Sequence, residues 1–321
     1  LDFGESFSTG EGQARIYSWS RYYYLDENRK ELPLSEVSVP VLLHYAKTAV
    51  FPSFYVEQIY KGEVTDKILE DEGGYRQDSG YWWSEGIRQQ YLSRERFFLP
   101  NITYDVFGSF DIETNEGICS RIEYDDKYNL IQIKFTDPLQ NVSKVKLDSF
   151  DYRVVLPREL IDINDNTSQV IYDELGLPVA LSIIGTEGNE IRGDGNIIMD
   201  GFEIFPDADL NEIVSNGKKY IQNATSFFHY DYFAWMKSGL PTYTMTVSRQ
   251  VHIHSENDLI GMGAFSYVIN YNDGMGRNLQ NKLKVEDGLA WIKQPDGSYI
   301  EGECSERWLT SGKTVYNNKG K

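Results

Sequence analysis

The stretch Asp162-Ile-Asn-Asp-Asn166-Thr-Ser-Gln-Val-Ile-Tyr172-Asp173-Glu-Leu-Gly176 decides the fold, because it predicts a turn, a strand and a second turn in succession. Asp and Asn side chains bond their own backbone and so close turns. Gly176 supplies the positive φ that a tight hairpin loop needs, and alternating apolar residues begin a return strand at Leu177. The stretch therefore predicts a β-hairpin with a turn at each end.

A related stretch lies 25 positions earlier, at Asp137-Pro-Leu-Gln-Asn141-Val-Ser-Lys-Val-Lys-Leu147-Asp148. Its apolar Val145 and Leu147 fall on one face of a predicted strand, and Lys144 and Lys146 fall on the other. A single hairpin is only marginally stable in water, so several must lie side by side to close a core. We therefore predict a mainly β protein made of a curved antiparallel sheet with a small helical insertion.

Tyrosine followed by aspartate marks further predicted turns along the chain. The candidate turn residues are Tyr104, Asp105 and Gly108; Tyr124 and Asp125, with Tyr128 where glycine is expected; Tyr172, Asp173 and Gly176; Tyr271, Asp273, Gly274 and Gly276; and Tyr316 and Gly320. These turns divide the chain into an aromatic-rich β region at residues 1–100, repeat hairpins at 101–206, and further hairpins, cut short, at 239–321.

The predicted helical insertion occupies residues 207–238. Asp209 and Glu212 resemble a capping box, and Leu210 and Ile213 begin a helical spacing of apolar residues. We expect Gly217 to end this helix. The clearest strand of the chain follows at 243–254, where apolar residues share one face and Thr, Ser, Gln and His share the other.

The composition limits the classes of function. A chain of 321 residues with 40% hydrophobic and 14% aromatic residues is globular, and a formal net charge of -18 argues against a nucleic-acid partner. Cys119 and Cys304 show neither a disulfide framework nor zinc-ligand spacing. No apolar run reaches the ~20 residues of a membrane helix. Because the chain starts without Met and its last turn has no following strand, we expect it to be a piece of a longer protein.

Several motifs are candidates for binding, each with a structural alternative. Trp82, Trp83 and Trp235 are candidate sugar-stacking platforms, although such rings more often fill a core. His252 and His254 are a possible metal pair about 7 Å apart on one strand face. The run 162–166 matches an oxygen-rich calcium linker, yet its counterpart at 137–141 lacks the middle ligands, which favours a turn.

No nucleophile elbow, phosphate loop or metalloprotease spacing is present in the sequence, and Arg192-Gly-Asp194 is an integrin-type tripeptide by its letters alone. We therefore predict no catalytic residue, no metal site and no cofactor.

The turns and the longer aromatic motifs together resemble the RHS or YD-repeat family, and specifically the B component of bacterial insecticidal Tc toxin complexes, in its middle to C-terminal region. The motifs are Arg21-Tyr-Tyr-Tyr24, Gly73-Gly-Tyr75, Gly80-Tyr-Trp-Trp83, Phe228-His-Tyr-Asp-Tyr-Phe-Ala-Trp235, Asn272-Asp-Gly-Met-Gly-Arg277-Asn-Leu-Gln-Asn-Lys282 and Arg307-Trp-Leu-Thr-Ser-Gly-Lys-Thr-Val-Tyr-Asn-Asn-Lys-Gly320.

The resemblance implies a secreted, non-enzymatic segment of a hollow β-shell, built with a C component whose toxic segment the shell encloses. It also implies docking on a pore-forming A component through a propeller that this sequence lacks, and no membrane insertion by this segment. The family's self-cleaving aspartyl protease belongs to the C component and has no match here. The alternatives are a carbohydrate-binding or adhesive β-module and, last, a hydrolase with paired carboxylates.

Overall fold

The computed structural model describes residues 17–188, 190–255 and 265–320. The chain divides into two compact units, residues 1–144 (unit 1) and 145–321 (unit 2). Residues 1–16 of the predicted aromatic region and residues 256–264 and 321 of the last predicted region lie outside the described residues.

The described residues of unit 1 form strands and two α-helices. Its elements are β1 (Ser20–Leu25), β2 (Leu42–Pro52), α1 (Phe54–Tyr60), α2 (Asp66–Asp71), β3 (Tyr75–Asp78), β4 (Tyr81–Glu85), β5 (Arg88–Tyr91), β6 (Pro100–Tyr104), β7 (Ser120–Tyr124), β8 (Gln132–Thr136) and β9 (Val142–Val145), which reaches the boundary. Strands β1, β2, β4 and β3 form a four-stranded antiparallel sheet, and β5 to β9 pair in chain order. Trp82, Val56 and Leu69 form a core between the four-stranded sheet and the helices.

Unit 2 contains the larger run of paired strands. Its elements are β10 (Glu159–Ile161), β11 (Thr167–Tyr172), β12 (Pro178–Glu187), β13 (Glu190–Gly193), α3 (Leu210–Ser215), α4 (Gly217–Ile221), β14 (Ser226–Asp231), α5 (Ala234–Ser238), β15 (Thr242–Arg249), β16 (Phe265–Asn272), β17 (Asn278–Lys284), β18 (Gly288–Lys293), β19 (Tyr299–Cys304) and β20 (Trp308–Thr310). The strand order is β10-β11-β12-β14-β15-β16-β17-β20, with β13 beside β12 and with β18 and β19 as a separate hairpin. The predicted fold class, mainly antiparallel β with a small helical part, is confirmed.

The core of unit 2 lies between this sheet and the helices α3 and α4. Ile213 and Ile221 of the helices pack with Phe227, Met245 and Val247 of the strands, and each of the five is at most 1% exposed. Burying a side chain of this size fully contributes about 1.5–3 kcal/mol. This layer of helix on sheet fixes which face of β14, β15 and β16 is covered.

The predicted helical insertion at 207–238 is wrong in extent, because strand β14 lies inside it. The helical part ends at Ile221, and Asp209 caps its start by accepting hydrogen bonds from the backbone N–H groups of Asn211 (2.9 Å) and Glu212 (3.3 Å). Gly217 begins α4 and does not end α3. A Cβ at Gly217 would collide with the Tyr267 hydroxyl, so close packing explains this glycine.

Two predicted strands are shorter than expected. The strand predicted at 243–254 ends at Arg249, and His252 and His254 follow it in irregular backbone. The strand predicted through Leu147 ends at Val145, and a 3-10 turn takes its place. In both places the backbone leaves the strand ladder because it forms other hydrogen bonds. The Asp194 carboxylate accepts from the Ile253 N–H, and the Glu159 carbonyl accepts from the Lys146 N–H.

Candidate functional site: turns and the hydroxyl face

The aspartate of each repeat turn binds the backbone of its own loop. The Asp173 carboxylate accepts from the N–H groups of Leu175 (2.9 Å) and Leu177 (2.8 Å), and Gly176 between them has φ +84°. The same bonds recur at Asp26, Asp137, Asp162 and Asp273, with positive φ at Arg29, Gln140, Asp165 and Gly276. The oxygen-rich run at 162–166 is one of these turns.

Hydrogen bonding stabilises the charged form of these turn carboxylates. The pKa of Asp137 and that of Asp162 are lowered first by the side-chain amides of Asn141 and Asn166. The pKa of Asp273 is lowered first by the backbone N–H of Arg277. A carboxylate that accepts several N–H bonds holds its negative charge more easily, so these turns are most stable when ionised.

Two predicted turns use other geometry. At Asp125 the carboxylate accepts from the N–H groups of Tyr128, Leu130 and Ile131, and Asn129, not Tyr128, takes the positive φ of +54°. The loop is therefore one residue longer than its sequence suggests.

At Asp105 the carboxylate accepts from Phe107 and Gly108. Gly108 has no positive φ, but a Cβ there would lie 2.6 Å from the Ile118 carbonyl oxygen, so close approach explains the glycine. In the turn after Tyr271, Gly276 has the positive φ and Gly274 does not. After Tyr316 the turn at Gly320 (φ +73°) has no following strand among the described residues.

The tyrosine before several of these turns binds the start of a neighbouring strand segment. The Tyr124 hydroxyl donates to the Pro100 carbonyl at 2.7 Å, and the Tyr172 hydroxyl donates to the Pro157 carbonyl at 3.0 Å. The Tyr316 hydroxyl likewise donates to the Asn278 carbonyl at 3.0 Å. Tyr104 and Tyr271 instead make ring contacts, with Phe110 and Tyr243.

Sequence reasoning missed one Tyr-Asp turn, at Tyr230 and Asp231. The Tyr230 hydroxyl donates to the Pro178 carbonyl at 2.8 Å, and Asp231 accepts from the Phe233 N–H at 2.9 Å. Burial raises the pKa of Tyr230 to about 12. The turn was missed because helix α5 begins where the glycine is expected. The tyrosine-aspartate pair itself could have indicated the turn.

The predicted stacking role is wrong for two of the three tryptophans. Trp82 and Trp83 are 0% and 1% exposed, so neither ring is accessible to a sugar. Trp83 donates from Nε1 to the Asp78 carbonyl at 2.9 Å, and the Arg21 guanidinium lies 4.1 Å from its ring centroid. Trp235, on α5, is 68% exposed.

The aspartate of the tripeptide at 192–194 belongs to a buried polar cluster. The fully buried Asp194 carboxylate accepts from Thr225 Oγ1 at 2.6 Å and from the Ile253 N–H at 2.9 Å, and it lies 2.7 Å from His252 Nδ1. Arg249 Nε is 3.7 Å away, and burial lowers the pKa of this guanidinium while Asp194 opposes that effect. Asp194 is therefore inaccessible to an integrin-type receptor.

In the structure His252 and His254, the possible metal pair of the sequence, each bond to another group. His252 pairs with the Asp194 carboxylate, and His254 donates its backbone N–H to the Gly193 carbonyl. Within residues 17–188, 190–255 and 265–320 no group of three or more His, Cys, Asp or Glu side chains could hold a metal ion. Cys119 is buried, Cys304 is partly exposed, and both are free thiols.

One face of strands β14 to β16 carries no charged side chain, and we call it the hydroxyl face. It consists of Ser226, Phe228, Tyr230, Thr242, Thr244, Thr246, Ser248, Ser266, Val268, Asn270 and Asn272, all half-buried. Thr246 lies opposite Phe228 on one side and Val268 on the other. The opposite face carries the core residues under α3 and α4.

The hydroxyl face is polar but electrically neutral. The hydroxyls of Ser226 and Ser248 are 2.9 Å apart, and Thr242 donates to the Asn272 carbonyl at 3.1 Å. Hydroxyl and amide groups exchange hydrogen bonds with water or with a peptide backbone at little net free energy. In a chain with 25% charged residues, this face neither attracts nor repels a charged polypeptide strongly.

These features define a mainly antiparallel β protein whose hairpins are closed by aspartate turns. No protein-family model matches the chain, and no curated protein sequence matches it. Among solved structures, the crystal structure of TcdB2-TccC3 matches with a TM-score of 0.75 and 23% identity over 94% of this chain and 14% of that chain. TcdB2-TccC3-Cdc42 matches with a TM-score of 0.73 and 19% identity over 94% of this chain and 16% of that chain.

A Photorhabdus luminescens Tc holotoxin pore matches with a TM-score of 0.71 and 18% identity, over 94% of this chain and 16% of that chain. The chain therefore has the fold found in a segment of Tc toxin complexes. It spans only 14–16% of the length of the chains it matches. No helix in the described part of the chain is both long and apolar enough to cross a membrane.

Proposed function

We propose that the chain is a non-enzymatic segment of the B component of a secreted, insecticidal Tc-type toxin complex, in the middle to C-terminal region of that component. In this role it forms part of a hollow RHS β-shell that encloses a toxic polypeptide. Its partners are the C component, which supplies the rest of the shell and the enclosed polypeptide, and an A-component pore reached through a propeller outside this chain.

The hydroxyl face is the observation that carries the proposal. A wall that contains a polypeptide must not bind it so tightly that release becomes slow, and fixed charges or a broad apolar surface would do so. The hydroxyl face would present Thr244 and Thr246 to such a polypeptide, while the buried core residues of the same strands, such as Met245 and Val247, are covered by helices.

The ionisable groups with the closest contacts support a structural role over catalysis. The turn carboxylates of Asp173 and Asp273 bind backbone N–H groups, and the Asp194 carboxylate binds Thr225 and His252. Groups held in this way stabilise loops.

Photo-crosslinking in an assembled complex tests the proposal. The chain is co-expressed with a TccC3-type C component, with p-benzoylphenylalanine in place of Thr246 or, as the control, of Lys218, which is exposed on α4. We expect co-elution in size exclusion and crosslinks to the enclosed polypeptide from position 246 alone. Failure to co-elute, or equal crosslinking from both positions, would reject the proposal.

A carbohydrate-binding or adhesive β-module is the second candidate, and the exposed Trp235 is the observation that favours it. The ring is 68% exposed, and Phe233, two positions earlier in the chain, is 61% exposed. Aromatic rings on a surface provide the flat apolar area on which a sugar stacks. Glycan-array binding by the chain that is lost in Trp235→Ala would favour this candidate over the shell.

A further inference from the structure

A cavity of about 280 Å³ opens in unit 2 where strand β14 ends. Its apolar walls include Phe205, Phe227 and Tyr230, and the turn residues Tyr232 and Phe233 extend them outward. Phe227 is 1% exposed, whereas Phe233 is 61% exposed, so the cavity runs from the core of unit 2 to its surface. A cavity of this size admits one long side chain or a small ligand.

The rim of this cavity is acidic. Four carboxylates line it among the described residues, those of Asp173, Glu174, Asp207 and Asp231, against the single ammonium of Lys237. Lys237 Nζ lies 3.4 Å from the Asp231 carboxylate and neutralises that group. Glu174 and Asp207 are exposed residues of this rim. The rim therefore attracts a cation.

Inside the cavity lies a buried polar side chain with an unused hydrogen-bonding capacity. His229 is 4% exposed and lines the cavity, and its ring makes no hydrogen bond to any described residue. Its contact is with the Tyr243 ring, at 6.1 Å between centroids. Burial lowers the pKa of His229, which Asp231 and Asp209 oppose and Lys237 reinforces, so the imidazole is neutral at pH 7. A neutral imidazole has one nitrogen free to accept a hydrogen bond.

We propose that this cavity binds an arginine side chain of a polypeptide that lies against unit 2. The methylene stem would pack on the apolar walls, the planar guanidinium would stack on Phe205, and its N–H groups would reach His229 and the Glu174 and Asp207 carboxylates. Arginine fits better than lysine, because a guanidinium is flat, weakly hydrated and able to donate in several directions at once.

The inference goes beyond the proposed function, because Phe227 and His229 of the cavity lie on the helix-covered face of strand β14 and not on the hydroxyl face. The chemistry of the cavity itself is independent of any partner, so it can be measured on the 321-residue chain.

The experiment follows the histidine side chains by NMR. The chain contains four histidines, so labelling with [13Cε1]-histidine gives a simple spectrum in which His229 is assigned by His229→Gln, or by elimination with variants of the other three. The probe is the blocked peptide acetyl-Ala-Leu-Arg-Leu-Ala-amide. Its control replaces arginine by citrulline, which has nearly the same shape and no charge.

We expect the arginine peptide to shift the His229 signal in a saturable manner and the citrulline peptide to leave it unchanged. Glu174→Gln/Asp207→Asn should weaken binding about 5-fold, because an exposed ion pair is screened by water and contributes only modestly. Glu301→Gln/Glu303→Gln removes the same charge from the separate β18-β19 hairpin and should leave the affinity unchanged.

An unshifted His229 signal, an equal response to citrulline, or equal weakening by the two double variants would overturn the inference. These results are distinct from a failure of the proposed function, which is judged by co-elution with the C component and by crosslinking from position 246.

Discussion

The Tyr172 hydroxyl donates a 3.0 Å hydrogen bond to the Pro157 carbonyl oxygen, and so joins the end of strand β11 to the segment that precedes β10. We expect Tyr172→Phe to lower the free energy of unfolding by about 1 kcal/mol, since the carbonyl loses its partner. Urea unfolding measures the change. Tyr299→Phe, on an exposed ring of the β18-β19 hairpin, is the control and should unfold like the parent. Equal stability of both variants would contradict the role of the hydroxyl.

The turn carboxylates predict a loss of stability in acid. The folded pKa of Asp273 is lowered, so its stabilising effect is complete above the unfolded value of about 3.9 and disappears as pH falls through the folded value. Asp273→Asn should therefore reduce the dependence of the urea midpoint on pH below about 4. Asp200→Asn, an exposed aspartate outside the turns, serves as control. Identical pH profiles for Asp273→Asn and the parent chain would refute the prediction.

Val155 occupies an unfavourable backbone conformation. Its φ of +57° is a left-handed conformation that costs a β-branched residue about 1–2 kcal/mol, and its side chain is 52% exposed. Val155→Gly should raise the unfolding free energy by roughly 0.5–1 kcal/mol, because relief of this strain exceeds the entropy that glycine adds to the unfolded chain. Val315→Gly, at a 76% exposed position without positive φ, should give no gain.

We expect truncation of Trp82 and truncation of Trp235 to change the free energy of unfolding very differently. Trp82→Ala empties a fully buried site and should cost about 3–5 kcal/mol of unfolding free energy, whereas Trp235→Ala should change it by less than about 0.5 kcal/mol. Thermal and urea unfolding distinguish the two. A mild effect of Trp82→Ala would show that the core of unit 1 is misplaced.

We expect replacement of the buried Asp194 to destabilise the fold severely. Asp194→Ala leaves the Arg249 guanidinium, only 10% exposed, without its carboxylate, which typically costs about 3–5 kcal/mol. The Arg249→Met change in the same variant should recover part of the loss, because it removes the unpaired charge. Urea unfolding of the single and double variants measures this recovery, and a double variant less stable than the single one would contradict it.

The turns were predictable from sequence because their chemistry is local. Asp137, Asp162, Asp173 and Asp273 bind N–H groups at most four residues away, so the letters of a short stretch specify the bonds. The mainly β fold follows from the same hairpins. The turn at Asp231 escaped because a helix replaces the expected glycine.

Long-range features were not predictable in this way. Aromatic content alone does not distinguish the buried Trp82 from the exposed Trp235, since the difference is made by residues distant in sequence. In the sequence Asp194 is only the last residue of an integrin-type tripeptide, yet its partners Thr225 and His252 are 31 and 58 positions away. The acidic cavity around His229 likewise depends on tertiary packing.

The aspartate loops also bear on how the chain is made. Because the Asp173 and Asp273 carboxylates need only residues that follow within four positions, each hairpin can close soon after its last residue has been synthesised. Contacts so near in sequence form quickly and do not wait for distant segments. The hairpins β11-β12 and β16-β17 can thus pair as they emerge, which limits the time that their unpaired edges are open to other chains.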